Sequence, residues 1–164
     1  MAHIIIARHA KTIDRSEADE DFDRYLTERG HADAERLAEA LAQTGLKADL
    51  ALVSPARRTQ ETWAHLASTL GDPRVESPMA LYHASTSMLI RASLEAFEAG
   101  AQTLAVIGHN PGVGGFAHEL AARAGTLSRW PHGFATSSAA VFDLLDDVNS
   151  MNTVHQVLNY NPKA

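Results

Sequence analysis

The sequence predicts an α/β protein, a three-layer α/β/α sandwich around a mostly parallel sheet with one antiparallel edge. Three observations lead there. Short apolar runs alternate with stretches of helical periodicity, the pattern of a parallel sheet with crossover helices. Gly, Pro and hydroxyl residues punctuate the boundaries between them. The last two strand-like runs follow one another closely enough to form a hairpin, which makes that edge antiparallel. The 164 residues suit one domain over 1–164.

The first strand covers 3–7, where three isoleucines and Ala7 run directly into Arg8 and His9. Residues 14–24, DRSEADEDFDR, are polar and acidic and read as a mobile loop. Thr27 caps a helix from Glu28, whose Ala34, Leu37, Ala38 and Leu41 share one face, and Gly45 ends it. A second strand covers 49–53. Ser54 and Pro55 then read as N-cap and first residue of a helix with Thr59, Trp63, Leu66, Ala67 and Leu70 on its packed face. A short strand follows at 75–77, and a helix over 87–99 with Ile90, Leu94 and Phe97 inward. Residues 103–107 form a strand, Gly108 to Pro111 turn, and 112–123 form a helix. The hairpin strands are 139–145 and 153–160.

Composition excludes several functions. There are 14 basic and 20 acidic residues, a formal net charge of -6, so a nucleic-acid surface is not the main feature. No cysteine is present, which removes disulfides, thiolate nucleophiles and cysteine zinc sites. No stretch approaches the roughly 20 apolar residues of a membrane span, and the N-terminus lacks a basic leader. A soluble, cytoplasmic protein is expected, with a monomer favoured.

Ligands of open α/β sheets bind beyond the carboxyl ends of the strands. Here one strand ends in Arg8 and His9, another in Ser54 leading to Arg57 and Arg58, and another in Gly108, His109 and Asn110. If these ends lie side by side, guanidinium forks meet two imidazoles. Guanidinium grips phosphate oxygens bidentately. An unprotonated imidazole can attack phosphorus, and a protonated one can stabilise the equatorial oxygens. This chemistry requires no metal and no cofactor. Taken alone, Arg8 and His9 could equally cap a strand.

Other features read as structural. Asp19, Asp21 and Asp23 fail as a calcium loop, because Arg24 stands where glycine is needed and Gly30 where glutamate is needed. The glycines after Pro111 lack dinucleotide-binding spacing. Arg57 reads as a surface charge. His3, His31, His65, His118, His132 and His155 read as surface or core residues. Trp130 and Phe134 lie in SRWPHGFATSS, a loop that could shape the mouth of a pocket.

Four segments carry a family pattern in order: Arg8-His9-Ala10, Leu26-Thr27-Glu28-Arg29-Gly30, Ser54 through Thr62 with Arg58 four residues after Ser54, and Gly108-His109-Asn110-Pro111-Gly112. In these the chain resembles the histidine phosphatase superfamily, the phosphoglycerate mutase-like branch. RHAKT, DFDRYLTERGHADA and LYHAS look most like its SixA-type phosphohistidine phosphatases, which lack a large inserted cap. The resemblance implies a metal-independent phosphatase acting on a phosphorylated substrate, such as a phosphohistidine protein. It implies His9 as nucleophile, Arg8 and Arg58 as phosphate ligands and His109 as the second pocket histidine. Thr12 could add a hydroxyl. Ester-hydrolysing members place a glutamate soon after the third strand to protonate the leaving alkoxide. Here that stretch reads MALYH, and His83 stands nearest. The departure favours a P–N substrate. The alternatives are a phosphomonoesterase with His83 as acid, and a phosphate-binding module with weak catalysis.

Overall fold

The computed structural model describes residues 1–129, 133–145 and 151–163. Its strands are β1 (Ala2–Arg8), β2 (Leu50–Val53), β3 (Arg74–Glu76), β4 (Thr103–Gly108), β5 (Ala139–Leu144) and β6 (Val154–Tyr160). Its helices are α1 (Glu28–Ala42), α2 (Arg57–Leu66), α3 (Thr86–Glu98) and α4 (Gly112–Ala124). The sheet order is β3-β2-β4-β1-β5-β6. β1 pairs parallel with β4 and antiparallel with β5, β2 pairs parallel with β4 and β3, and β5 pairs antiparallel with β6. The hairpin edge is as the sequence predicts.

The sheet is covered on both faces, which is why β1 is continuously apolar rather than alternating. Side chains alternate across a strand. Ile4 and Ile6 pack with α3 and α4 against Leu89, Phe97, Phe116 and Leu120. Ile5 and Ala7 pack on the other side with Leu37 and Leu41 of α1 and Trp63 and Leu66 of α2. No helix among the described residues is long and apolar enough to cross a membrane.

Three expectations need correction. The helix after Ser54 starts at Arg57 with Ala56 at its N-cap, and Ser54 caps nothing there. The Ser54 carbonyl instead accepts from Thr59 Oγ1 and Gln60 Nε2, at 2.8 and 2.9 Å. The buried line of α3 is Leu89, Ser93 and Phe97, and Ile90 and Leu94 are only partly buried beside it. That helix begins at Thr86, where Ser85 accepts the Met88 N–H, and its i, i+4, i+8 line sets the face. Finally, the acidic loop contains two short 3-10 turns, Arg15–Glu17 and Asp21–Asp23, and its second turn is tied to Arg58 of α2 and to Tyr82.

Candidate active site

Because β2, β4 and β1 are neighbours, their carboxyl ends do meet. Arg8 is in register with Gly108, and the His9 N–H donates to the Gly108 carbonyl at 3.2 Å. The rings of His9 and His109 lie 5.4 Å apart. Arg8, His9, Arg58 and His109 line one cleft of about 480 Å³, together with Lys11, Thr12, Arg24, Asn110, Thr136 and Lys163. Two motif glycines let the backbone close around it. A Cβ at Gly30 would fall 2.1 Å from the Lys11 carbonyl oxygen, so α1 packs straight onto the segment after His9. A Cβ at Gly112 would fall 2.3 Å from the Ala84 carbonyl oxygen, so the start of α4 packs closely on Ala84.

His9 is buried. Its Nδ1 lies 2.8 Å from the Ala10 carbonyl oxygen. A carbonyl only accepts, so Nδ1 carries the proton and Nε2 keeps a lone pair. The Ala10 N–H in turn donates to Thr62 Oγ1 at 2.9 Å, which fixes the segment on α2. Burial, aided by the charges of Arg8, His109 and Arg58, outweighs the bond to Ala10 and lowers the His9 pKa to about 3. Neutral imidazole is therefore the resting form at neutral pH.

His109 is set by Ser54. Its Nε2 lies 2.7 Å from Ser54 Oγ. Ser54 is fully buried, and its oxygen also accepts the Ala56 N–H at 3.3 Å. The hydroxyl proton has no other acceptor among the described residues, so it goes to Nε2 and the His109 proton sits on Nδ1. Nδ1 is buried without a partner. Burial, then the charges of Arg58 and His83, lower the His109 pKa to about 4. His109 is thus a neutral donor in the free chain, where the sequence suggests an imidazolium.

The two arginines are held by their outer nitrogens. Arg8 Nη1 donates to the Phe134 carbonyl at 3.1 Å. Arg58 Nη1 and Nη2 donate to the carbonyl and carboxylate of Asp21, at 2.8 and 3.1 Å. The Nε atoms of both are buried and unpartnered. Asp21 also accepts from Arg24 Nη1 at 3.1 Å and from the Tyr82 hydroxyl. Burial alone would raise its carboxyl, but the bonds from Tyr82 and Arg24 and the charge of Arg58 hold it well below the usual carboxylate range.

The remaining candidates divide. Thr12 lines the cleft, with its oxygen accepting from Arg24 Nη2 at 2.7 Å. His83 is exposed, stacks on Tyr82 at 3.9 Å between ring centroids, and is not among the lining residues. Arg57 bonds Glu61 at 2.9 Å on the surface. Phe134 is buried beside the cleft, while Trp130 and His132 lie outside the described residues. No group of three or more metal-ligating side chains is placed to hold an ion among the described residues. Ser54, Asp21, Arg24, Lys11 and Lys163 are site residues that sequence reasoning passed over. For Ser54, Asp21, Arg24 and Lys11 a signal existed, since each lies inside a motif segment, but Ser54 and Asp21 read locally as a cap and a loop charge.

Residues 4–81 match the sequence profile of the Histidine phosphatase superfamily (branch 1). An uncharacterised protein of Picosynechococcus sp. is 32% identical over 115 residues, 70% of each chain. Among solved structures, SixA of Agrobacterium tumefaciens superposes with a TM-score of 0.82 at 26% identity, covering 98% of both chains. The protein histidine phosphatase SixA complexed with tungstate superposes with a TM-score of 0.77 at 22% identity, covering 98% of this chain and 97% of that one, and shares the fold.

Proposed function

The chain belongs to the histidine phosphatase superfamily and is a SixA-like phosphatase, and we propose that it dephosphorylates phosphohistidine in proteins, without a metal, through a phosphoryl adduct on His9. The His9 Nε2 lone pair attacks phosphorus. The substrate ring reacts protonated at its other nitrogen, so the P–N bond breaks with its electron pair staying on the leaving nitrogen and a neutral imidazole departs. Arg8 and Arg58 bind the transferring oxygens through N–H groups that lack partners among the described residues, and His109 Nδ1–H donates to a third. Water then attacks phosphorus from the vacated side, the bond to Nε2 breaks, and phosphate leaves. The Nδ1 bond to Ala10 keeps the reactive nitrogen in place throughout.

The observation that carries the P–N preference is the state of Asp21. This carboxylate touches the phosphate-binding Arg58, yet Tyr82, Arg24 and Arg58 keep it ionised. It has no proton to give an alkoxide, and a positioned acid contributes on the order of 10²–10⁴-fold. An imidazole leaving group, with a conjugate-acid pKa of about 6.5, has far less need of one. A second reading rests on His83, whose charge bears on His109 and which stacks over Tyr82. With His83 as acid, the enzyme would cleave phosphate esters.

The deciding experiment compares hydrolysis of a histidine-phosphorylated peptide with that of alkyl, aryl and sugar phosphates in excess chelator. The proposal expects the P–N substrate to be strongly preferred and His83→Ala to leave that preference in place. Preferred turnover of esters that His83→Ala abolishes would establish the second reading instead.

A further inference from the structure

The cleft is charged out of proportion to the chain. Five of the 14 basic side chains line it, Arg8, Lys11, Arg24, Arg58 and Lys163, and no acidic side chain among the described residues does. The chain has three lysines, and two of them are here. Arg24 is committed to Asp21, Thr12 and the Ile13 carbonyl. Arg8 and Arg58 match a phosphoryl group carrying about two negative charges. Lys11 and Lys163 are left over. Both are exposed, and neither ammonium has an ion-pair partner among the described residues.

Their placement is built rather than incidental. Lys11 follows His9 by two residues, and its carbonyl accepts the Thr27 N–H at 3.0 Å under the close approach of Gly30. Lys163 lies three residues beyond β6, whose Tyr160 pairs with Ala139 beside the end of β1. Asn161 Oδ1 accepts the Lys163 N–H at 2.9 Å and turns the chain at the mouth.

Resting on the phosphohistidine reading, we propose that Lys11 and Lys163 form a second anion subsite at the mouth of the cleft, which takes a carboxylate flanking the phosphorylated histidine of the substrate protein. The phosphoryl group enters between the arginines, and an Asp or Glu beside it meets the lysines. This makes an acidic segment the preferred partner and discriminates against basic ones by repulsion.

The test uses histidine-phosphorylated peptides whose flanking residues are Asp and Glu in one and Asn and Gln in the other, with wild type and the Lys11→Ala/Lys163→Ala variant. The kcat/KM ratio, acidic over neutral, should be about fivefold for wild type, shrink with added salt, and fall to about one in the variant. A wild-type ratio near one, or a ratio the variant leaves unchanged, overturns the subsite. If no P–N substrate turns over while esters do, the phosphohistidine reading fails by itself. The subsite is then judged by the same ratio on a phosphate ester bearing a neighbouring carboxylate against its methyl ester, which would assign the anion to a small molecule.

Discussion

Where β1, β2 and β4 end, several buried polar atoms lack partners among the described residues; where the same strands begin, the polar groups are paired. All five buried, unpartnered side-chain polar atoms among the described residues belong to the carboxyl rim: Arg8 Nε, Arg58 Nε, His109 Nδ1, and the hydroxyls of Ser137 and Ser138, just before β5. At the opposite rim Asp49 Oδ2 accepts the N–H groups of Gln102 and Thr103 at 2.7 and 2.6 Å, and His3 Nδ1 lies 2.6 Å from Asp143 Oδ1. A buried donor without a partner is costly. Concentrating that cost at one rim leaves unpaired polar groups beside the cleft, while the other rim locks the strands together. The difference separates a rim that joins the strands from a rim that lines the cleft.

Substitutions at each end should keep that separation, and failure to do so would break it. The largest effect is expected from His9→Ala, a loss of about 10⁴-fold or more in kcat with circular dichroism and melting temperature retained. Residual turnover near that of wild type would remove His9 from the chemistry. Next comes Arg58→Lys. One ammonium cannot hold both Asp21 and a phosphoryl oxygen as the fork does, so kcat/KM should fall about 100-fold. An unchanged value would mean that the Asp21 clamp is dispensable.

Ser54→Ala is expected to cost about tenfold in kcat. It should also move the His109 ¹⁵N shifts away from those of an imidazole protonated at Nδ1. Unmoved shifts would take the tautomer out of Ser54's control.

The rims should also differ in their response to acid. His9 and His109 titrate near 3 and 4 when folded and near 6.5 when unfolded. Their neutral forms are the folded ones, so the unfolded chain binds more protons between about pH 6.5 and 3. Stability is therefore fully present above pH 6.5 and lost as pH falls through that window. Replacing both histidines with glutamine should flatten the acid side of a melting-temperature profile, and an unaltered slope would assign acid sensitivity elsewhere. Asp49→Ala should have the smallest effect, about 1 kcal/mol or about 3 °C in melting temperature, with kcat unchanged. A fall in kcat would show that the two ends are coupled.

Much of this was legible in the chain. β1 could be read because a strand buried on both faces is apolar at every position, and Ile4, Ile5 and Ile6 leave no polar face. Arg8, His9, Arg58 and His109 could be read because a strand end followed at once by polar groups is a poor way to build a core. Ser54 was misread since Ser-Pro is a good helix opening on local rules, and only the neighbour across the sheet shows that its hydroxyl serves His109. Asp21 was misread because an acidic run in a loop looks solvated, and its partner Arg58 is 37 residues away.

The sequence alone determined the alternation of strands and helices, the closing hairpin and the four residues at the cleft, because periodicity and motif spacing are local properties of a chain. Tertiary structure alone decided which nitrogen of each histidine holds the proton, that Asp21 clamps Arg58, and that Lys11 and Lys163 share a mouth. Those depend on hydrogen bonds and fields between groups far apart in the chain, which exist only once β1, β2 and β4 lie side by side.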